Sequence, residues 1–228
     1  STNKGLSRFH LSSATFRNFD ANDGLQSNEF NQNAYFKCTS GELFFGGING
    51  FNRFYPQNIK DNQRLPNVVF TDFLLANQSV PINPQSLHGR EKESQAKYTL
   101  PSAIDNLRTL VLGYQQNLIS FEFAALDFTN PQKNQYAWQL EGQDQDWILT
   151  DSKKRWATYT NLRPGRYTLR IKASNSQGYW NKRGKSLNII VLPAPWETWW
   201  AYSIYALLLT ALMYSYVHAQ RRKIRYEL

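Results

Sequence analysis

NLRPGRYTLRIKA, Asn161 to Ala173, is the stretch on which the fold turns. Pro164 and Gly165 form a turn, because proline presets φ and glycine carries no Cβ to clash. Beyond it Tyr167, Leu169, Ile171 and Ala173 alternate with Thr168, Arg170 and Lys172. A period of two places the apolar set on one face of a strand and the polar set on the other. The stretch predicts a β-strand with one face against a core.

The same period recurs on both sides. Tyr136, Trp138 and Leu140 alternate with Gln135, Ala137, Gln139 and Glu141, and Ile119, Phe121, Phe123 and Ala125 share one face of Leu118–Phe128 with Glu122 opposite, toward solvent. NVVFTDFLLANQSV, after Pro66, has strand composition until Pro81 and Pro84 end it, and Leu187, Ile189 and Val191 supply a last strand before Pro193 and Pro195. A tyrosine just past a Leu-x-Pro-Gly corner, with Trp138 on an earlier strand, fits the tyrosine corner of a sandwich, in which the phenol hydroxyl bonds back to the chain. The expectation is a fibronectin- or immunoglobulin-like β-sandwich over about 66–192, within a unit bounded at 61 and 195. Residues 84–97 read as a solvated loop with His88 on its surface. EGQDQDW, with Glu141, Asp144 and Asp146, reads as a solvated turn, since it lacks the spacing and terminal glutamate of a calcium loop.

Residues 1–60 are read as one unit. GELFFG and NGFNRFY are aromatic runs joined by Gly47-Ile48-Asn49-Gly50, where Asn-Gly predicts a type I′ hairpin turn. No second copy of the unit is evident along the chain, and a lone hairpin unit cannot bury both faces, so it is expected to stack on neighbours upstream. The run Asp23–Asn62 resembles the last blade of the regulator-type β-propeller of bacterial membrane sensors, in Asp23-Gly24-Leu25, Asn28-Glu29-Phe30, the Gly41–Gly47 run, Asn49-Gly50-Phe51 and Phe54-Tyr55-Pro56. Tyr136, Tyr159 and Tyr167, within LEGQDQDW and YTNLRPGRYTLRIKASNSQG, resemble the three-tyrosine (Y_Y_Y) domain, with Trp138, Trp147, Pro164 and Gly165 in the same motif. VLPAPWETWWAY is similar to the join between such a domain and a membrane span.

Thr198–Val217 carries no charged residue and is long enough to cross a hydrocarbon layer of about 30 Å. Trp196, Trp199, Trp200 and Tyr202 crowd one end, and Tyr214 and Tyr216 mark the other, the arrangement of two interfacial belts. Arg221, Arg222, Lys223 and Arg225 follow, which predicts a cytoplasmic C-terminus, with residues 1–195 periplasmic and a single pass through a bacterial inner membrane. The span is set at 196–217 and the start of a cytoplasmic signalling helix at 218–228, where Ile224 and Leu228 extend an apolar stripe. STNKGLSRFH is no signal sequence, and the chain is expected to be a middle piece of a longer protein.

The chain of 228 residues carries a net charge of +9, with no basic stripe outside the membrane flank, which argues against nucleic acid. Cys38 is the sole cysteine, so no internal disulfide can form, and it reads as a buried, inert thiol. His10, His88 and His218 stand in unrelated contexts, and no nucleophile elbow, zinc helix or phosphate loop occurs. Neither enzymatic activity nor a cofactor or metal is expected of this piece. The resemblance implies a sensor and relay segment of a homodimeric receptor, with an upstream propeller, a glycan-derived ligand, and a histidine kinase or diguanylate cyclase downstream. The alternatives are a membrane-anchored fibronectin-like spacer of a carbohydrate-active enzyme or adhesin, and a plain stalk.

Overall fold

The computed structural model describes residues 1–82 and 98–227, with side chains as far as His218. The loop expected over 84–97 with its His88, the side chains of Arg221, Arg222, Lys223 and Ile224, and Leu228 lie outside the described residues. The described residues form four sheets and one long helix. β1 (Leu6–His10) and β2 (Thr15–Phe19) make a hairpin. β3 (Phe30–Lys37), β4 (Leu43–Gly47) and β5 (Gly50–Phe54) make a separate antiparallel sheet.

The N-terminal sixty residues are therefore two sheets where the sequence led us to expect one unit. The first strand also has a counterpart: Gly-Leu-Ser-Arg-Phe-His from Gly5 matches Gly-Phe-Asn-Arg-Phe-Tyr from Gly50 in its glycine, arginine and phenylalanine. Both glycines have positive φ, 102° and 116°. The two segments share those positions and that backbone conformation, while β1 pairs in a two-stranded sheet and β5 in a three-stranded one. The turn at Ile48-Asn49 is not type I′, because neither residue has positive φ. That conformation falls instead on Ala76-Asn77, at φ 50° and 64°, between β6 and β7.

The sandwich is built from β6 (Val68–Leu75), β7 (Gln78–Ser79), β8 (Thr109–Leu112), β9 (Leu118–Ala125), β10 (Gln135–Glu141), β11 (Ile148–Asp151), β12 (Trp156–Thr160), β13 (Gly165–Ser174) and β14 (Trp180–Val191). One sheet runs β12-β9-β6-β7, and the other β11-β10-β13-β14-β8, with β14 and β8 parallel. The alternating residues fill the space between the sheets: Phe121 and Phe123 from β9, Tyr136 and Leu140 from β10, Leu169 and Ile171 from β13, and Leu187 and Ile189 from β14 are all buried. The Phe123 ring lies 5.7 Å from Tyr136 and 5.6 Å from Trp138 on the facing sheet. Each such fully buried side chain contributes about 1.5–3 kcal/mol, so this interdigitation is the main favourable term.

After β14, Pro195–Glu197 forms a single 3-10 turn and α1 (Trp199–Glu227) begins. The helix thus opens three residues later than the span was set, because Thr198 is still extended. Apart from Ala201 in its first turn, which is buried, its described side chains lie open: Trp199 is 81% exposed, Leu207 69% and Tyr214 74%. An apolar helix left bare along its length is not the core helix of a globular domain. Trp199–His218 is the one helix among the described residues long and apolar enough to cross a membrane.

Candidate functional site

The three tyrosines of the motif each make a hydrogen bond that ties parts of the sandwich together. Tyr136 on β10 accepts the backbone N–H of Ala125 on β9 at 3.2 Å, a bond from one sheet to the other. Tyr159 on β12 donates to the Asp144 carboxylate at 2.6 Å, reaching the turn that joins β10 to β11. The same carboxylate accepts the N–H of Leu140 at 2.8 Å. Tyr167 on β13 donates to the carbonyl of Arg163 at 2.9 Å, closing the corner before its own strand. Burial, followed by the hydrogen bond to Asp144, pushes the Tyr159 phenol far above its usual value, so it stays a donor. The first two bonds tie one sheet to the other, and all three tyrosines are buried.

The other motif residues have simpler places. Trp138 packs on Phe123 in the core. Trp147 is exposed on the outer face of β10–β11, where the Lys172 ammonium sits 3.8 Å from its ring centre. Pro164 is exposed and Gly165 begins β13. A Cβ on Gly165 would meet Tyr167 only at ordinary contact distance, so the turn does not require glycine there. Cys38 is half-buried rather than buried, because β3 ends at Lys37 and the residue falls in the following turn. Hydrogen bonds from Ser40, then Thr39, hold its thiol below the usual value. Glu122 is half-buried on the face opposite Phe121 and Phe123, in register with Trp156 of β12. Among the described residues, no group of three histidine, cysteine or acidic side chains gathers as a metal would need.

Two joints carry the connections to either side. At the distal pole, toward β1–β5, the Lys133 ammonium reaches Asp20 at 2.9 Å and Asp23 at 2.5 Å, and Asn130 donates to Asp23 at 3.0 Å. Burial raises the Asp23 carboxyl, but hydrogen bonds from Lys133, Asp20 and Asn130 outweigh it and hold the group below its usual value. Burial likewise lowers Lys133, and its bonds to Asp23 and Asp20 outweigh that and raise it. The linker is stitched down as well. Asn175 donates to the carbonyls of Asn62 (2.6 Å) and Arg64 (3.1 Å), Gln177 accepts the N–H of Asn62 (2.7 Å), and Asn181 donates to the carbonyl of Pro66 (2.8 Å). Asp61 accepts from both Arg8 and Arg17, which face each other across the β1–β2 hairpin. A polar cleft of about 1000 Å³ opens along this joint.

At the proximal pole, Leu192 continues the sheet by donating to the carbonyl of Leu112 at 2.9 Å, and Trp196 meets Tyr114 edge-on with ring centres 5.1 Å apart. Ala194 and Ala201 are buried on either side of the 3-10 turn, and Thr198 caps it by donating to the carbonyl of Pro195 at 2.6 Å. The structure thus brings Trp196 against the sandwich and leaves Trp199 and Trp200 on the bare helix.

Sequence reasoning missed both joints. Asp144 is not merely a solvated turn residue, and Lys133, Asn130, Asn175 and Asp61 were not singled out. Their only signal is an excess of Asn, Asp and Lys in turns, which is what solvated loops also show.

The described chain is thus a two-sheet sandwich stapled by tyrosines, set between a smaller β unit and an apolar helix. Residues 127–192 match the Y_Y_Y domain. The chain is 36% identical over 214 residues to histidine kinase P4 of Formosa agariphila, covering 93% of this chain and 15% of that protein. The extracellular domain of the hybrid two-component system BT3049 from B. thetaiotaomicron superposes with a TM-score of 0.67 at 26% identity, over 85% of this chain and 24% of that one. The chain carries a Y_Y_Y domain and spans a small part of the relatives it matches. The match begins at residue 127, whereas the folded core begins at Val68, so β6–β9 belong to the same sandwich although they precede the match.

Proposed function

We propose that the chain is a non-catalytic sensing and relay segment of a membrane-bound two-component receptor. It passes a conformational signal from an upstream β-propeller to a cytoplasmic histidine kinase. The observation that supports this best is mechanical continuity. β13 and β14 run between the joint at Asn62–Asn175 and the joint at Leu112–Leu192, and β14 leads through one 3-10 turn into α1. Ten strand residues in β13 reach about 33 Å, so one hairpin spans the sandwich. The relationship to a histidine kinase favours a kinase over a diguanylate cyclase as the output.

In this reading residues 1–60 end the propeller, and the Gly-x-x-Arg-Phe repeat is what successive blades leave in a sequence. Residues 61–195 form the sandwich, whose strand order fits the fibronectin and immunoglobulin plan. Residues 1–195 lie in the periplasm and 218–228 in the cytoplasm of an inner-membrane protein, as the basic flank directs. The receptor is a homodimer, and a glycan-derived ligand acts upstream by binding its two states unequally.

Insertions of one, two and three residues after Arg225 in the full-length receptor test the relay. Each added residue turns the following helix by about 100°, so kinase output should rise and fall with the phase of the insertion. Output that ignores the phase would overturn the relay and leave the sandwich a spacer.

A further inference from the structure

The proximal pole is made of three turns lying side by side. The Ala76 N–H bonds to the carbonyl of Leu118 at 2.9 Å, and the Asn161 N–H to the carbonyl of Asn117 at 2.7 Å. This draws Ala76-Asn77 and Asn161–Pro164 against the turn Gly113–Asn117. Across these three turns the only charged side chain is Arg163. Tyr114 and Gln115 are exposed at the tip, with the Gln115 amide donating to the Tyr114 hydroxyl at 2.9 Å. The acidic turn between β10 and β11 flanks this pole, and two of its carboxylates are engaged, Asp144 by Tyr159 and Glu141 by Arg170 at 2.6 Å. The distal pole, by contrast, holds Asp20, Asp23, Asp61, Arg8, Arg17 and Lys133 in ion pairs.

Among the described residues this pole carries few charges, Arg163 in the three turns with Asp146 and Glu197 beside them. Such a surface, tipped by an aromatic ring, is suited to the interfacial layer of a bilayer, where an apolar ring body and a polar edge are both satisfied. Its height is set by a contact. Trp196, Trp199 and Trp200 belong at the headgroup level if α1 crosses the membrane, and the Tyr114 ring lies 5.1 Å from that of Trp196. Tyr114 cannot then be far from the same level. The Leu192–Leu112 bond and the buried Ala194 and Ala201 keep the sandwich from swinging away on its tether.

We infer that the turn Gly113–Asn117 seats the sandwich on the phospholipid headgroups, with Tyr114 and Trp196 sharing one aromatic foot and Arg163 facing lipid phosphate. The seat rests on the reading of α1 as the membrane span. It makes the sandwich a lever with its fulcrum at the bilayer surface, so a tilt imposed at the distal pole is delivered to the first turn of α1.

The test uses the complete chain, with Cys38→Ser, in nanodiscs of phosphatidylethanolamine and phosphatidylglycerol. A fluorophore is placed in turn on Gln115→Cys, on Ser12→Cys in the exposed β1–β2 turn, and on Leu207→Cys in α1. Headgroup spin labels should quench position 115 several-fold more than position 12, and Tyr114→Ser should reduce that difference. Deep acyl-chain spin labels should quench position 207. If 207 is quenched but 115 matches 12, the seat is wrong while the span stands. If 207 is not quenched, the span reading fails and the seat falls with it.

Discussion

At the scale of single residues, the Tyr159–Asp144 bond shows how a buried aromatic can matter through its oxygen. The ring is buried, and its hydroxyl joins β12 of one sheet to the β10–β11 turn of the other. Tyr159→Phe keeps the ring and removes only that bond, leaving Asp144 with the Leu140 N–H. The expected cost is about 1–2 kcal/mol in denaturant unfolding, the range for a hydrogen bond to a charged but partly solvated group. The pH dependence has a definite sign. Because the folded-state phenol titrates far above its usual value of about 10, the unfolded chain loses that proton first as pH rises. The stability contributed by Tyr159 is complete below pH of about 10 and drains away above it, and Tyr98, also raised by burial, adds to the slope. Tyr159→Phe should therefore flatten the alkaline decline, and an unchanged slope would remove the bond from the account. Legibility divides cleanly here. That Tyr167 bonds back to Arg163 follows from the corner motif. That Asp144 partners Tyr159 does not, because an aspartate in a turn reads the same whether it meets water or a phenol.

At the scale of elements, alternation made β9, β10, β13 and β14 legible, since each has one face against the core and one away from it. β8, β11 and β12 are short strands of four or five residues, too few for a period to stand out. The turn at Ile48-Asn49 shows a different limit: Asn-Gly favours type I′ only when both residues fall in the loop, and here Gly50 is already paired in β5. The contact between elements that matters most, Lys133 between Asp20 and Asp23, joins residues more than a hundred positions apart, and no local pattern encodes it. Its acid sensitivity follows from the shift at Asp23. A carboxyl held below its usual value contributes stability above pH of about 4, and that contribution is lost as pH falls through its folded-state value. The raised Lys133 behaves in the opposite sense, losing its contribution only as pH climbs past about 10. Hydrogen exchange should therefore show residues 20–24 and 130–134 opening together below pH of about 4, ahead of the core strands. Lys133→Met should produce the same opening at neutral pH. Exchange that accelerates uniformly along the chain would mean that this ion pair does not hold the two units together.

At the scale of the whole molecule, two kinds of cohesion are segregated. The sandwich is held by buried apolar side chains, which salt does not weaken. The distal joint is held by exposed or half-exposed charges, with the buried amides of Asn130 and Asn175 beside them. Arg8 and Arg17 are cross-strand partners, an arrangement that repels unless something lies between them, and Asp61 from the linker supplies that anion. A linker carboxylate therefore helps to order the β1–β2 hairpin, and the hairpin in return fixes the linker. Raising ionic strength from about 0.15 M to about 1 M shortens the screening length from about 8 Å to about 3 Å, which weakens such solvent-facing pairs far more than it does a core. The complete chain should accordingly respond in two parts. At high salt, exchange and proteolysis should rise in 55–66 and in β1–β2, while the unfolding midpoint of the sandwich stays in place or increases. Asp61→Asn should reproduce the first effect at low salt and make it insensitive to further salt. A sandwich that loosened together with the linker would show that the joint is part of one cooperative core. The distal pole would then transmit motion as a rigid body, and it would not serve as a joint that an upstream signal can bend.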